Sequence, residues 1–206
     1  MFSSKPLEEY LMVYVKKIIM DGIKMTEHGS ITYLLYGSTP SRQSICIKLG
    51  KLGEHMIKKI ILETPHLELL TCGVQCVDQV TKKNKDIDLF WKDEKTKHIY
   101  YFEAKGNMEL DTEKIKATIE KVLEIKQTYI EPKYPDYKVF VGIFHWSIYK
   151  RQKELLQFKL CQEKGINVFH MAEMLQLLEF EWSETDFYAF FKQIGIDIDK
   201  MFNYNF

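Results

Sequence analysis

Two runs decide the reading of this chain: Asp86-Ile87-Asp88-Leu89-Phe90-Trp91 and Ile99-Tyr100-Tyr101-Phe102-Glu103-Ala104-Lys105. Both are rich in aromatic and β-branched residues, the composition of a strand with buried faces. The charged link Lys92-Asp93-Glu94-Lys95-Thr96-Lys97 has the length and polarity of a hairpin turn. Side chains two apart along a strand share a face, so Glu103 and Lys105 project together while Ala104 points back. With Asp88 on the neighbouring strand, two carboxylates and one ammonium converge at one point of a sheet. Carboxylates so placed repel each other unless a cation sits between them. A hard divalent ion such as magnesium suits that need, held by one or two carboxylates and by substrate phosphate oxygens. The bland alternative is a salt-bridged pair on an exposed strand; the preceding aspartate and the flanking apolar runs weigh against it.

At these residues the chain resembles the PD-(D/E)xK nuclease superfamily, and within it the type II restriction endonucleases. The resemblance is carried by Asp88, a gap, and Glu103-x-Lys105, followed by Gly106-Asn107 and Leu110-Asp111-Thr112-Glu113-Lys114. That last run is similar to a segment of some restriction enzymes, small cleavage subunits included. Ile87 stands where the family name has proline, which many members lack. Asp86 leaves open which aspartate is the ligand; Asp88 is chosen because it opens the apolar run and has an apolar residue on either side.

The resemblance implies an α/β fold: a restriction-endonuclease-like mixed β-sheet flanked by helices. Its core would span about residues 40–170 of a single nuclease domain, 1–206, with an N-terminal helix and a C-terminal helical extension. It implies Mg2+-dependent hydrolysis of DNA phosphodiesters, with Mn2+ able to substitute. Asp88, Glu103 and the main-chain carbonyl of Ala104 would be the metal ligands. Lys105 would orient the attacking water or help to deprotonate it, and would stabilise charge on the phosphorane-like transition state. Relatives often bring a further acid from a preceding helix, which makes Glu54 a candidate; a capping or surface glutamate is the equal alternative. The implied partner is double-stranded DNA, cut by a homodimer or by a heteromer with a larger DNA-recognition subunit. A repair or junction-resolving nuclease of the same fold is one alternative, and a catalytically silent DNA-binding or assembly module another. Intact Asp88, Glu103 and Lys105 speak against the silent module.

At 206 residues, 46% apolar and 28% charged, the chain can bury one full core and is too short for two comfortable domains. No apolar run approaches a bilayer span and the start lacks a signal-peptide pattern, so no membrane partner and a cytoplasmic location are expected. Cysteines 46, 72, 76 and 161 make no disulfide scaffold; Cys72 and Cys76 read as buried thiols on one face of a strand. The formal net charge of zero conceals local bias. Residues 42–59 set Arg42, Lys48, Lys51, Lys58 and Lys59 against Glu54 alone, and residues 148–164 are also basic. From residue 173 onward acids dominate, and it is the local field that steers a polyanion. With only two arginines among 29 basic residues, bidentate reading of guanine has few agents here. Recognition of sequence is therefore expected to lean on Asn, Gln, Lys or a partner.

Periodicity predicts helices over 6–27 and 40–63 and a strand over 67–80 interrupted at Gly73. A basic turn Thr81-Lys82-Lys83-Asn84-Lys85 then leads into the Asp88 strand. After Lys105 come a helix from Asp111 to about residue 130, stopped by Pro132 and Pro135, and a strand 137–144. A basic helix over 149–164, a short strand 166–169 and helices over 171–180 and 184–194 complete the chain. Hairpin-linked strands followed by a crossover helix call for a mixed sheet with helices on both sides, the order of a restriction-endonuclease core. His145 and His170, each at a strand end, read as satisfied structural residues rather than catalysts.

Overall fold

The computed structural model describes residues 4–22, 31, 34, 49–78, 80–106, 114–146 and 156–202. The chain divides into two compact units, one of Ser3–Met56 with Trp182–Phe206 and the other of Ile57–Glu181.

In the first unit, helix α1 (Ser4–Gly22) buries Leu7, Leu11 and Val15, a stripe repeating every four residues. The C-terminal helix, Glu184–Phe202, buries Phe187, Phe190, Ile194 and Ile198 at the same period, and the two helices pack together. Ser183 starts that C-terminal helix with a reciprocal cap. Its amide donates to Asp186 Oδ2 at 2.8 Å, and its hydroxyl oxygen accepts from the Asp186 amide at 3.3 Å. The helix expected over 40–63 is broken: Gly50 and Lys51 form a turn, and α2 runs over Leu52–Glu63. A turn at Gly50 avoids the cost of glycine in a helix, a cost that α2 still bears at Gly53.

The second unit is a mixed α/β layer structure. Its strands are β1 (Leu67–Leu69), β2 (Gly73–Asp78), β3 (Lys83–Ile87), β4 (Leu89–Asp93), β5 (His98–Lys105), β6 (Lys138–His145) and β7 (Asn167–Phe169). Five of them form one sheet in the order β1-β4-β5-β6-β7, and β2 pairs with β3 in a separate ribbon. β5 is central, antiparallel to β4 and parallel to β6. Helices of this unit flank the sheet: α3 (Ile115–Ile125), α4 (Leu156–Glu163) and α5 (Met171–Leu177); the C-terminal helix of the first unit is α6 (Glu184–Phe202). Among the described residues no helix is long and apolar enough to cross a membrane.

Alternation along β5 sorts its residues onto two faces. Tyr100 and Phe102 join Trp91, Phe140 and Phe169 in an aromatic layer, Trp91 stacking on Phe102 at 5.6 Å and on Tyr100 at 5.1 Å. Each buried ring of this kind contributes roughly 2–3 kcal/mol. Gly142 makes room for it: a Cβ there would lie 2.4 Å from the Phe102 ring and 2.8 Å from the Asn167 carbonyl. Ile99 and Tyr101 point the other way, into a core with Ile115, Ile119 and Val122 of α3 and Phe158 and Cys161 of α4. Glu103 and Lys105 continue that second row, so helix α3 lies over the face that carries them.

Several expected boundaries move. The strand predicted over 67–80 is two strands in two sheets, parted at Leu70–Cys72. Cys72 therefore lies outside a strand, and it and Cys76 are half-buried rather than buried. Lys83, Asn84 and Lys85 belong to β3, not to a turn, and both lysines pair with Glu124 of α3. The Asp88 strand is also divided, with Asp88 itself a bend between β3 and β4. Helix α3 ends in a π turn, Lys126–Ile130, before the single turn Glu131–Lys133. The proposed cap Asp111, Cys46, and the parts 42–48 and 148–155 of the basic stretches 42–59 and 148–164 lie outside the described residues.

Candidate active site at the β3–β4 break

Glu103 sits near the end of the central strand, and its side chain is 7% exposed. A carboxylate buried that far needs its lone pairs filled, because an unpaired charge in low dielectric is strongly disfavoured. Four groups do this or lie close by. Lys105, two residues along the same face, brings Nζ to 3.4 Å from Oε1. Lys121 of α3 donates from Nζ to Oε2 at 2.6 Å. The Tyr101 hydroxyl, two residues back on the same face, also donates to Oε2, at 3.3 Å. Asp88 arrives at the adjacent position, where its Oδ2 accepts the main-chain N–H of Ala104 at 2.9 Å.

That last bond follows from the break in the strand. The antiparallel register that pairs Leu89 with Phe102 would set Asp88 opposite Glu103. Asp88 leaves the ladder, and its side chain takes up an amide on the opposite strand. The Glu103–Ala104 peptide is thereby fixed by an acid from the neighbouring strand. Asp86 is exposed on β3, where it faces Val74. The charges of all three acids reach Tyr101, whose hydroxyl is pushed well above its ordinary pKa by burial, then by Glu103, Asp88 and Asp86.

Glu54, the fourth acid named from sequence, belongs to the first unit. It lies in the first turn of α2, buried. Its charge reaches Tyr14 of α1, whose hydroxyl is pushed up to about 12 by burial first and by Glu54 second.

The geometry thus unites Glu103, Lys105 and the Ala104 backbone with Asp88, and adds Tyr101 and Lys121, which sequence reasoning missed. A signal for Lys121 was present. It stands three residues after Thr118 and four before Ile125, both buried, so it falls on the sheet-facing arc of α3 where a lysine needs an acid to meet. Among the described residues no group of three or more His, Cys, Asp or Glu side chains is placed to hold a metal ion. The donor set that the resemblance names is smaller and entirely hard oxygen: the carboxylates of Asp88 and Glu103 and the main-chain carbonyl of Ala104. Such a set fits Mg2+, which keeps several waters and needs only one or two protein carboxylates.

His145 lies directly across from Lys105 on β6. It is fully buried, and neither ring nitrogen has a hydrogen-bond partner among the described residues, contrary to the expectation of a satisfied histidine. Its ring packs 5.1 Å from His170 and 6.2 Å from Phe158. Burial, helped by His170, pulls its pKa down to about 4, so at neutral pH it is an uncharged neighbour of the acid cluster.

Compared with known proteins, the chain matches no family profile and no curated protein.

Proposed function

We propose that this chain is a metal-dependent endodeoxyribonuclease of the PD-(D/E)xK kind, with a restriction-endonuclease-like core. One observation carries the reading: the central strand presents Glu103 and Lys105 side by side, 3.4 Å apart, while Asp88 from a strand break bonds the peptide between them. Acid, backbone and amine from two strands are held at one point, which a solvated salt bridge does not require. Asp88, Glu103 and the Ala104 carbonyl would hold Mg2+, or Mn2+ in its place, which when bound supplies charge neutralisation at the phosphate and acidifies water.

The chain's own groups then divide the work. Lys105, 27% exposed, is open enough to meet a water or a phosphate oxygen and buried enough to be held in place. Its ammonium would orient the attacking water and stabilise the negative charge that grows on the phosphorus oxygens in the transition state. Asp88 fixes the Glu103–Ala104 peptide, and so anchors the strand next to the residue whose carbonyl would face the ion. Tyr101 and the sheet hold Glu103 in one rotamer. The substrate would be double-stranded DNA, cut either by a twofold pair of chains or by this chain beside a larger recognition subunit.

The test is cleavage of supercoiled plasmid and of branched duplexes in Mg2+ by the parent, Lys105→Ala and Asp88→Asn. Conversion to nicked or linear products by the parent alone supports the assignment. A parent inactive on every substrate, with and without candidate partner subunits, or a Lys105→Ala variant that cuts as well as the parent, ends it. Nicking of plasmid only after addition of a second subunit selects the heteromer over the homodimer.

A further inference from the structure

Lys121 does more at this site than close an ion pair. Glu103 Oε2 receives two donors, the Lys121 ammonium at 2.6 Å and the Tyr101 hydroxyl at 3.3 Å. A carboxylate oxygen has two lone pairs, so Oε2 is saturated. Oε1 faces Lys105, the more distant of the two amines. The two lysines thus set two positive charges against Glu103, and the closer one lies where a cation binding Oε2 would have to sit. A magnesium ion takes its oxygens at about 2.0–2.1 Å and would stand beside the Lys121 ammonium, a like charge in a poorly solvated place.

We propose that Lys121 is a resident counter-cation of Glu103: it occupies the position of the divalent ion, must be displaced for the ion to bind, and is then released toward the phosphate of the bound strand. The inference rests on the nuclease reading for the identity of that phosphate, but not for the competition itself. Three features support the displacement. Lys121 comes from α3, a different element from the strand, so it can withdraw without moving β5. Its side chain is 18% exposed, which leaves the long stem a route to solvent. Lys105 remains beside Oε1 when Lys121 leaves, so Glu103 is never stripped of all positive charge. Lys121 is in this scheme a positioning residue that sets the metal concentration at which the site loads.

The test uses the full chain and Mn2+ as probe, without DNA. Titration followed by manganese EPR is expected to show about tenfold tighter binding for Lys121→Gln than for the parent, the effect of removing one neighbouring charge from a carboxylate. Lys121→Arg should bind near the parent value, and Glu103→Gln should lose the site. Lys121→Gln binding no tighter than the parent, with an unchanged melting temperature, overturns the proposal. A second measurement needs no variant at Lys121. Acetylation of Lys121, read by mass spectrometry, should rise several-fold when Mg2+ is added to the parent and stay constant in Glu103→Gln; indifference to Mg2+ in the parent overturns the proposal. The two readings separate cleanly. A parent that obeys these rules and cuts no DNA keeps the counter-cation and loses the nuclease. A parent that cuts DNA while Lys121→Gln leaves Mn2+ affinity unchanged keeps the nuclease and loses the counter-cation.

Discussion

Asp78 and Asp93 occupy the same place in two hairpins, at the end of β2 and at the end of β4. In each, Oδ1 accepts the amides two and three residues on (Val80 and Thr81; Lys95 and Thr96), and Oδ2 accepts the threonine hydroxyl. Each turn then closes with a lysine of positive φ, Lys82 and Lys97, both at 55°. These acids are satisfied within three residues of themselves, and their charge is spent on building a turn. Asp88 and Glu103 are treated in the opposite way. Asp88 accepts the Ala104 amide 16 residues on in sequence, and Glu103, besides Tyr101 and Lys105 on its own strand, accepts from Lys121, 18 residues on and in another element. An acid whose needs are met locally shapes the chain. One that also draws partners from other elements marks a place where the fold concentrates charge, and such a place is the better candidate for chemistry.

The largest effect expected from this contrast lies in activity. Asp88→Asn, Glu103→Gln and Lys105→Ala should each lower plasmid cleavage by about a thousandfold or more, as loss of a group that stabilises transition-state charge does. Asp88→Asn keeps an oxygen for the Ala104 amide, so its urea midpoint should stay close to the parent's. Activity that survives all three substitutions would erase the distinction between the two classes of acid.

Next comes a buried ring whose two nitrogens have no hydrogen-bond partner among the described residues. The His145 pKa is lowered to about 4 in the folded chain, against an unfolded value of 6.5. Between those values the unfolded chain binds more protons than the folded one. The stability of the neutral, buried ring is therefore complete above about pH 6.5 and is lost as pH falls toward 4, by roughly 3 kcal/mol in all. His145→Leu should flatten the melting temperature between pH 7 and pH 4.5 relative to the parent. It should also raise stability at pH 7, because an unpaired buried polar ring is replaced by an apolar one. An equal acid slope in the variant would show that other groups carry it.

A smaller loss separates the two turns themselves. Burial opposes ionisation of Asp93, but three hydrogen bonds from Thr96 and Lys95 outweigh it and hold the carboxyl below its usual range. Asp93 is 7% exposed, so Asp93→Ala should cost about 2 kcal/mol in urea denaturation and leave cleavage intact. Asp78, also held low by Thr81 and Val80 but open to solvent, should cost less when replaced by alanine. For both, the stabilisation is present above the ordinary carboxylate pKa and fades as pH falls through the lowered one. A larger cost at Asp78 than at Asp93 would mean that burial does not govern the turn.

The smallest expected change is Lys83→Ala. Its pair with Glu124 joins β3 to α3, yet Lys83 is 48% exposed, so the loss should stay within about 0.5 kcal/mol. A loss above about 1 kcal/mol would give the ribbon a larger part in stability than its exposed ion pairs support.

What the sequence determined by itself is what covalent geometry repeats along one element. The two-residue period of β5 puts Glu103 beside Lys105 whatever surrounds them, and the apolar content of 99–102 and 139–144 requires central strands. The apolar stripe Ile115, Ile119, Val122 likewise requires a helix lying on a sheet. Tertiary structure alone decided which groups arrive from elsewhere. Ile87 and Leu89 read as one apolar run across Asp88, and nothing in that run announces the bend that turns the aspartate onto the Ala104 amide. The half-buried lysine of α3 could be suspected from its place on the helix, but its meeting with Glu103 depends on how far along β5 the helix lies. Spacing within an element is fixed by bond lengths and dihedral angles; spacing between elements is set by how side chains fill the volume between them, and no single stretch of sequence contains that volume.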